Sequence, residues 1–329
     1  MKLMTKLLPV AMLVGAMGTA QAQVAVYGVI DVSYGKNDNI KFGEKADFHS
    51  GGDDFSSQGN STTRVGVKGS ADVASGIKAN FKLETAGITS DGKVGDAGNI
   101  RDMDGVKPGD QPFFNRQAWF GFSGGFGEVR LGKQDSVPFQ AMVDFDFNGA
   151  SNAATAFGNS GVAAWGTGRQ SRSLQYISPV MGGLKLQVGF VPEGNVAGDK
   201  STFSAALNYN AGDFAAGVTS ESKRTEGASS FTAFAASYDF KVAKVMASYT
   251  DGGTGAKGTG LGVVAPVAGF NIGMNYGKNS DTKADATEFF INREVYKNTF
   301  VYVDYGNFDR KTMVNPKGKA YAMGVIYAF

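Results

Sequence analysis

Residues 320–329 read Ala-Tyr-Ala-Met-Gly-Val-Ile-Tyr-Ala-Phe, and this closing stretch decides the fold class. In an extended chain Tyr321, Met323, Val325, Tyr327 and Phe329 share one face, while Ala320, Ala322, Gly324, Ile326 and Ala328 share the other. A period of two, with large residues on one side and mostly small ones on the other, marks a strand whose two faces meet different media. The rule repeats upstream. Phe203, Ala205, Leu207 and Tyr209 alternate with Ser204, Ala206, Asn208 and Asn210; Phe270, Ile272, Met274 and Tyr276 alternate with Asn271, Gly273, Asn275 and Gly277. Leu184, Leu186, Val188 and Phe190 alternate with Lys185, Gln187 and Gly189. No long run of period 3.6 interrupts the series.

Read by this rule, the chain gives about sixteen strands, roughly over 23–35, 62–69, 77–88, 114–123, 128–134, 169–177, 184–191, 202–210, 214–221, 230–239, 242–250, 258–265, 270–278, 285–295, 298–306 and 318–329. The connections alternate long and short. Long ones cover 36–61, 89–113, 135–168 and 307–317, whereas the short ones are punctuated by Gly, Pro or Asx, as in Asn210-Ala211-Gly212-Asp213. An even-numbered antiparallel barrel in an outer membrane has this rhythm, with short turns on the periplasmic side and long loops outside. A soluble β-sandwich is the alternative, since alternation alone does not separate a face packed on a core from one facing lipid. Polar faces rich in Gly, Ser, Asn and charge on nearly every strand, with Phe and Tyr near the ends of the apolar faces, favour the all-β transmembrane barrel.

The N-terminus fits export. Lys2 and Lys6 precede an apolar run from Leu7 to Met17, and Ala20-Gln21-Ala22 has the small-x-small form of a cleavage site, so residues 1–22 read as a signal peptide and 23–329 as the barrel domain. Those lysines are the only charges before residue 23, so the formal net charge of +2 falls to zero after cleavage. That balance predicts no nucleic-acid partner. The chain has no Cys and a single histidine, His49, expected to be a solvated residue of the first external loop. No nucleophile–base relay and no metal or cofactor site is expected from such a set, and an enzyme is disfavoured.

Several blocks carry a family likeness: Val26-Tyr27-Gly28-Val29-Ile30-Asp31, Arg64-Val65-Gly66-Val67-Lys68-Gly69, Asn115-Arg116-Gln117-Ala118-Trp119-Phe120-Gly121-Phe122, and Glu128-Val129-Arg130-Leu131-Gly132-Lys133-Gln134. With the closing Phe329 they resemble the general porins of Gram-negative bacteria, closest to the neisserial and β-proteobacterial branch. The resemblance implies a sixteen-stranded barrel, a homotrimer in outer-membrane lipid, and a third loop, 135–168, folded inward as a constriction. It implies passive diffusion of small hydrophilic solutes and ions. It also implies that Tyr321, Met323, Val325, Tyr327 and Phe329 are the signal read by the outer-membrane assembly machinery.

Alternation places Arg64 and Lys68 inward because Val65 and Val67 face outward, and it places Lys82 and Arg130 inward by the same argument. A charge on the lipid face near the midplane would cost about 2–4 kcal/mol, which keeps strand cations in the lumen or at a rim. Arg116 and Arg172 are placed inward by the resemblance. Opposite them the third loop offers Asp144 and Asp146, with Phe139, Phe145, Phe147, Phe157 and Trp165 able to seat it against the wall. Basic residues outnumber acids in this set, so a weak anion preference is expected. Tyr27 and Tyr302 also take inward parity, too few for the aromatic track of a solute-specific channel. That channel, and a surface adhesin or receptor on the same barrel, remain the alternatives. Trp119 and its neighbours on that strand are open to lipid or to a subunit contact.

Overall fold

The computed structural model describes residues 23–38, 45–51, 59–90, 92, 94, 113–166, 168–194, 200–253, 255–311 and 317–329. The signal-peptide expectation for residues 1–22 lies outside the described residues. The strands are β1 (Gln23–Asn37), β2 (Asp47–Ser50), β3 (Arg64–Ala74), β4 (Ile77–Ala86), β5 (Gln117–Gly124), β6 (Gly127–Asp135), β7 (Arg169–Ile177), β8 (Leu184–Val191) and β9 (Thr202–Ala211). They continue as β10 (Phe214–Glu221), β11 (Phe231–Asp239), β12 (Lys244–Asp251), β13 (Lys257–Val267), β14 (Phe270–Asn279), β15 (Asp285–Tyr296), β16 (Thr299–Asp309) and β17 (Lys317–Ala328). Each pairs antiparallel with its neighbours in one sheet, and β1 closes the circuit on β17, from Val29 opposite Ala328 to Asn37 opposite Ala320.

The barrel has sixteen strand positions, because β2 and β3 share one. Val32 to Gly35 of β1 pair with β2, whereas Gln23 to Val29 pair with β3, so the two are successive parts of one interrupted strand. β2 lies inside the expected first loop, 36–61, where local pattern shows no strand, and β3 begins at Arg64, two residues after its expected start. β3 runs to Ala74, past the expected end at residue 69, because Ser70 to Asp72 still pair with Asn80 to Lys78 of β4. Alternation weakens there while the ladder continues.

Closure satisfies the backbone without a sheet edge, which hydrocarbon requires. The outward faces are apolar: on β9, Phe203, Leu207 and Tyr209 are exposed, while Ser204, Ala206 and Asn208 between them are buried. Burial on the inner face of a hollow barrel needs a cover, and residues 136–166 supply it. Replacing Leu207 with Arg is expected to cost about 2–4 kcal/mol near the bilayer midplane. The check is a lower urea midpoint of the barrel folded into lipid vesicles. An unchanged midpoint would place Leu207 away from lipid.

The covering segment has its own local logic. Ser136 caps α1 (Val137–Met142), its hydroxyl accepting from the Phe139 amide at 3.1 Å, with Pro138 in the first turn. A single 3-10 turn follows over Val143–Phe145. Thr155 caps α2 (Ala156–Ser160), which ends on Gly161 at φ 75°, a left-handed position that glycine takes without strain. Val137, Met142, Phe145, Phe157, Val162 and Trp165 pack on Ala206, Ala233, Ala235 and Met246 of β9, β11 and β12. Ala153, Ala154 and Ala156 pack against Ala286, Phe308 and Ala320. Small wall residues let the segment approach closely: a Cβ on Gly260 would stand 2.7 Å from the Phe157 ring.

Candidate functional site

On β3 to β6 the inward faces gather cations around one acid. Glu84 of β4, 2 % exposed, has the Arg116 Nε at 2.6 Å, the Lys82 Nζ at 3.6 Å and the Arg64 Nε at 4.0 Å. Tyr27 of β1 donates its hydroxyl to the same carboxylate at 2.8 Å, and the Lys68 and Lys82 ammonium groups stand over its ring at 5.3 and 5.4 Å. The register explains the convergence: Lys68 faces Lys82, Gly66 faces Glu84, and Gly66 faces Tyr27 on its other side. Arg116 lies just before β5, where its backbone amide donates to the Glu84 carbonyl at 3.1 Å. Because Arg116 lies in a bend outside the strand, its side chain reaches Glu84 although strand parity points it outward.

Along the same wall the Arg130 guanidinium lies 4.5 Å from the centre of the Trp119 ring and 2.6 Å from Glu128. Trp119 therefore faces inward, 9 % exposed, with its indole N–H donating to Gln117 at 2.9 Å. Phe120 and Phe122 take the outer face instead, both exposed. The expectation that Trp119 and its neighbours are open to lipid or a subunit contact fails for Trp119, which takes the opposite face to Phe120 and Phe122. At the base of the covering segment Arg169 sits 3.2 Å from Asp135 and 6.0 Å from the Phe139 ring. Arg169 is not legible from pattern because a bulge, where Gly132 faces Ser173 and Gln134 faces Gln170, breaks the parity of β7.

The same bulge sets Arg172 apart. It is exposed at φ 52°, and among the described residues no ion pair joins it to the Glu84 group. On the covering segment Asp144 is exposed, whereas Asp146 is buried against the wall. Asp146 accepts from the Asn148 amide and from Asn275 of β14, both at 3.1 Å. Asn148 in turn donates to Glu288 at 2.8 Å and Asp304 at 2.9 Å, and Asn275 donates to Glu288 at 3.1 Å. The acids nearest the loop are thus saturated by amides that tie it to β14, β15 and β16. Of the two acids expected to face the lumen, Asp146 is a tether and Asp144 remains open.

The two tyrosines of inward parity do point inward, with both hydroxyls engaged: Tyr27 on Glu84, and Tyr302 on Asp31 at 2.7 Å. His49 departs from the solvated-loop expectation. It lies in β2, half-buried and opposite Ser33 of β1. No group of three or more His, Cys, Asp and Glu side chains suited to a metal occurs among the described residues.

A family profile described as Gram-negative porin matches residues 10–313. Outer membrane porin protein 32 of Delftia acidovorans is 27 % identical over 93 % of this chain and 90 % of its own length. An outer membrane porin protein of Bordetella pertussis is 25 % identical over 79 % of this chain and 73 % of its own. Among solved structures, an anion-selective porin from Comamonas acidovorans superposes with a TM-score of 0.68 at 20 % identity, covering 94 % of this chain and all 100 % of that one. Its likeness is one of fold.

Proposed function

Since the chain belongs to the Gram-negative porin family, we propose that its barrel passes small hydrophilic solutes and ions by passive diffusion with a weak preference for anions. Membership places it in the outer membrane of a Gram-negative cell as a channel. The anion preference is carried by one observation: Arg64, Lys82 and Arg116 converge on the single carboxylate of Glu84. Three cations against one acid leave a net positive wall, to which Lys68 adds. A hydrated anion passing such a wall is stabilised where a cation is repelled, without being dehydrated or held. The Comamonas porin, similar in fold, is itself anion-selective, which supports the same sign here.

Three further readings belong to the proposal. Residues 1–22 are removed after Ala22 on export. The barrel assembles as a homotrimer through part of its apolar outer face. The strand ending in Tyr321, Met323, Val325, Tyr327 and Phe329 is presented to the assembly machinery.

Reconstitution in a planar bilayer tests the reading. Three-step closures and a reversal potential on the anion side of a salt gradient are expected, and a cation-side potential would overturn the preference. Glu84→Gln keeps an acceptor for Arg116 and places an amide donor against the Tyr27 hydroxyl, which can turn to accept it, while removing the negative charge of the group. It is expected to move the reversal potential further toward the anion limit, and a shift toward cations would contradict the role given to Glu84.

A further inference from the structure

The chain leaves the wall at Gly51, whose amide donates to the Asp31 carbonyl at 2.9 Å, and returns at Thr63, whose amide donates to the Gly51 carbonyl at 3.2 Å. Between these anchors the described residues 59–62 lie on the inner side. Asp31 and Tyr302, which hold them, are buried, whereas Val32 and Val303 beside them face outward and are exposed. The Asp31 carboxylate accepts the Asn60 amide at 2.8 Å and the Ser61 amide at 2.6 Å. A Cβ on Gly59 would stand 2.2 Å from the Tyr302 hydroxyl and 2.6 Å from the Asp31 carboxylate, so a larger residue here would push both side chains aside.

The same residues also reach the third-loop segment. The Asn60 side-chain amide donates to Asn148 Oδ1 at 3.0 Å and to Asp304 Oδ2 at 3.0 Å, and the Ala153 amide donates to the Gly59 carbonyl at 3.3 Å. Asn60 thus touches β1 through its backbone, β16 through Asp304, and the third loop through Asn148. We infer that residues 59–62 are a second inward constriction element, and that Asn60 is the positioning residue that locks it to the third loop. The inference deepens the diffusion-pore reading and rests on it: a second inserted segment narrows the lumen, and its lock sets how steady the open cross-section is.

Asn60 binds ions no better than any amide, so its loss acts through geometry. Truncating its side chain strips the buried Asp304 carboxylate of one donor and cuts the tie to Asn148. A segment tethered by fewer bonds samples alternative positions, and the readout is current noise rather than selectivity.

The full-length protein in planar bilayers provides the test. Asn60→Ala is expected to raise the occupancy of sub-conductance levels by about tenfold, the shift that follows from losing one or two buried hydrogen bonds. Closure should occur at lower voltage, with the reversal potential unchanged. An Asn60→Ala channel as quiet as the parent, closing at the same voltage, would overturn the lock. Placement is tested independently with Ser61→Cys, the only thiol in a chain that lacks cysteine. A charged methanethiosulfonate reagent should reduce the current in steps. Complete labelling by mass with unaltered current would overturn the inward placement. A parent protein that conducts no ions at all would instead refute the diffusion reading, which keeps the two failures apart.

Discussion

Replacing Arg64, Lys82 and Arg116 together with glutamine is expected to remove most of the anion preference. The substitutions are made with Glu84→Gln, because a buried carboxylate stripped of its partners would destabilise the wall by several kcal/mol and confuse folding with selectivity. One unit charge at about 4 Å in a water-like medium is worth about 1 kcal/mol, or roughly fivefold in relative permeability. The four substitutions remove a net charge of two at the Glu84 group. The permeability ratio should therefore shift by about tenfold or more, read as a reversal potential in a salt gradient. Asp144, exposed on the covering segment, then acts without this counterweight. An unchanged reversal potential would place the selectivity elsewhere, with Arg130 and Arg169 the next residues on the same wall. Charge at the lumen surface is screened over about 8–10 Å at moderate salt, so the effect should fall steeply as the salt concentration rises.

Removal of Phe329 is expected to cost most of the folded protein. Its backbone makes the last rung of the β1–β17 seam: the Phe329 amide donates to the Gly28 carbonyl at 3.1 Å, and the Gly28 amide donates to the Phe329 carbonyl at 3.0 Å. Its ring lies over Gly28, where a Cβ would come within 2.4 Å of the ring carbon Cζ. Deletion leaves the Gly28 amide and carbonyl without their partners at the end of the seam, each worth about 1–3 kcal/mol, and removes an apolar side chain worth about 2–3 kcal/mol. Heat-modifiable mobility on a gel, which separates folded barrel from unfolded chain, should show folded yield falling severalfold in refolding into vesicles. Phe329→Ala keeps the rung and loses the ring, so it should fall between the parent and the deletion. Equal yields for all three would mean that the seam closes without Phe329. If the losses occur only in cells and not in vesicles, the residue is a signal to assembly machinery rather than a part of the seam.

Most of the barrel is legible in the chain. Each of the sixteen expected strands has a counterpart in the closed circuit, because period-two patterning over about ten residues is a local property that lipid on one side and water on the other both reinforce. Arg64, Lys68, Lys82 and Arg130 are placed by that pattern alone, and Val65, Val67, Val129 and Leu131 show why it works. Arg172 and the first loop depart from expectation where pairing stops being regular. Arg169 and Arg172 straddle a bulge, so parity on one side does not carry to the other. His49 and the short strand β2 lie in a stretch that reads as loop, and only pairing with β1 makes them part of the wall.

The sequence by itself determines that the protein is a β-barrel, which side of the wall most strand residues take, and that cations predominate on the inner face of β3 to β6. These follow from side-chain alternation, which no distant contact can reverse without turning every residue of a strand over. The tertiary structure alone decides which of those inward groups remain open to the lumen. Asp31, Asp146, Glu288 and Asp304 all belong to the lumen side, yet all are covered and hold inserted segments rather than facing ions. Asn60 and Asp304 meet across 244 positions of chain, and no pattern near either residue announces the other. Parity tells where a side chain points; only the returning loops decide what comes to meet it.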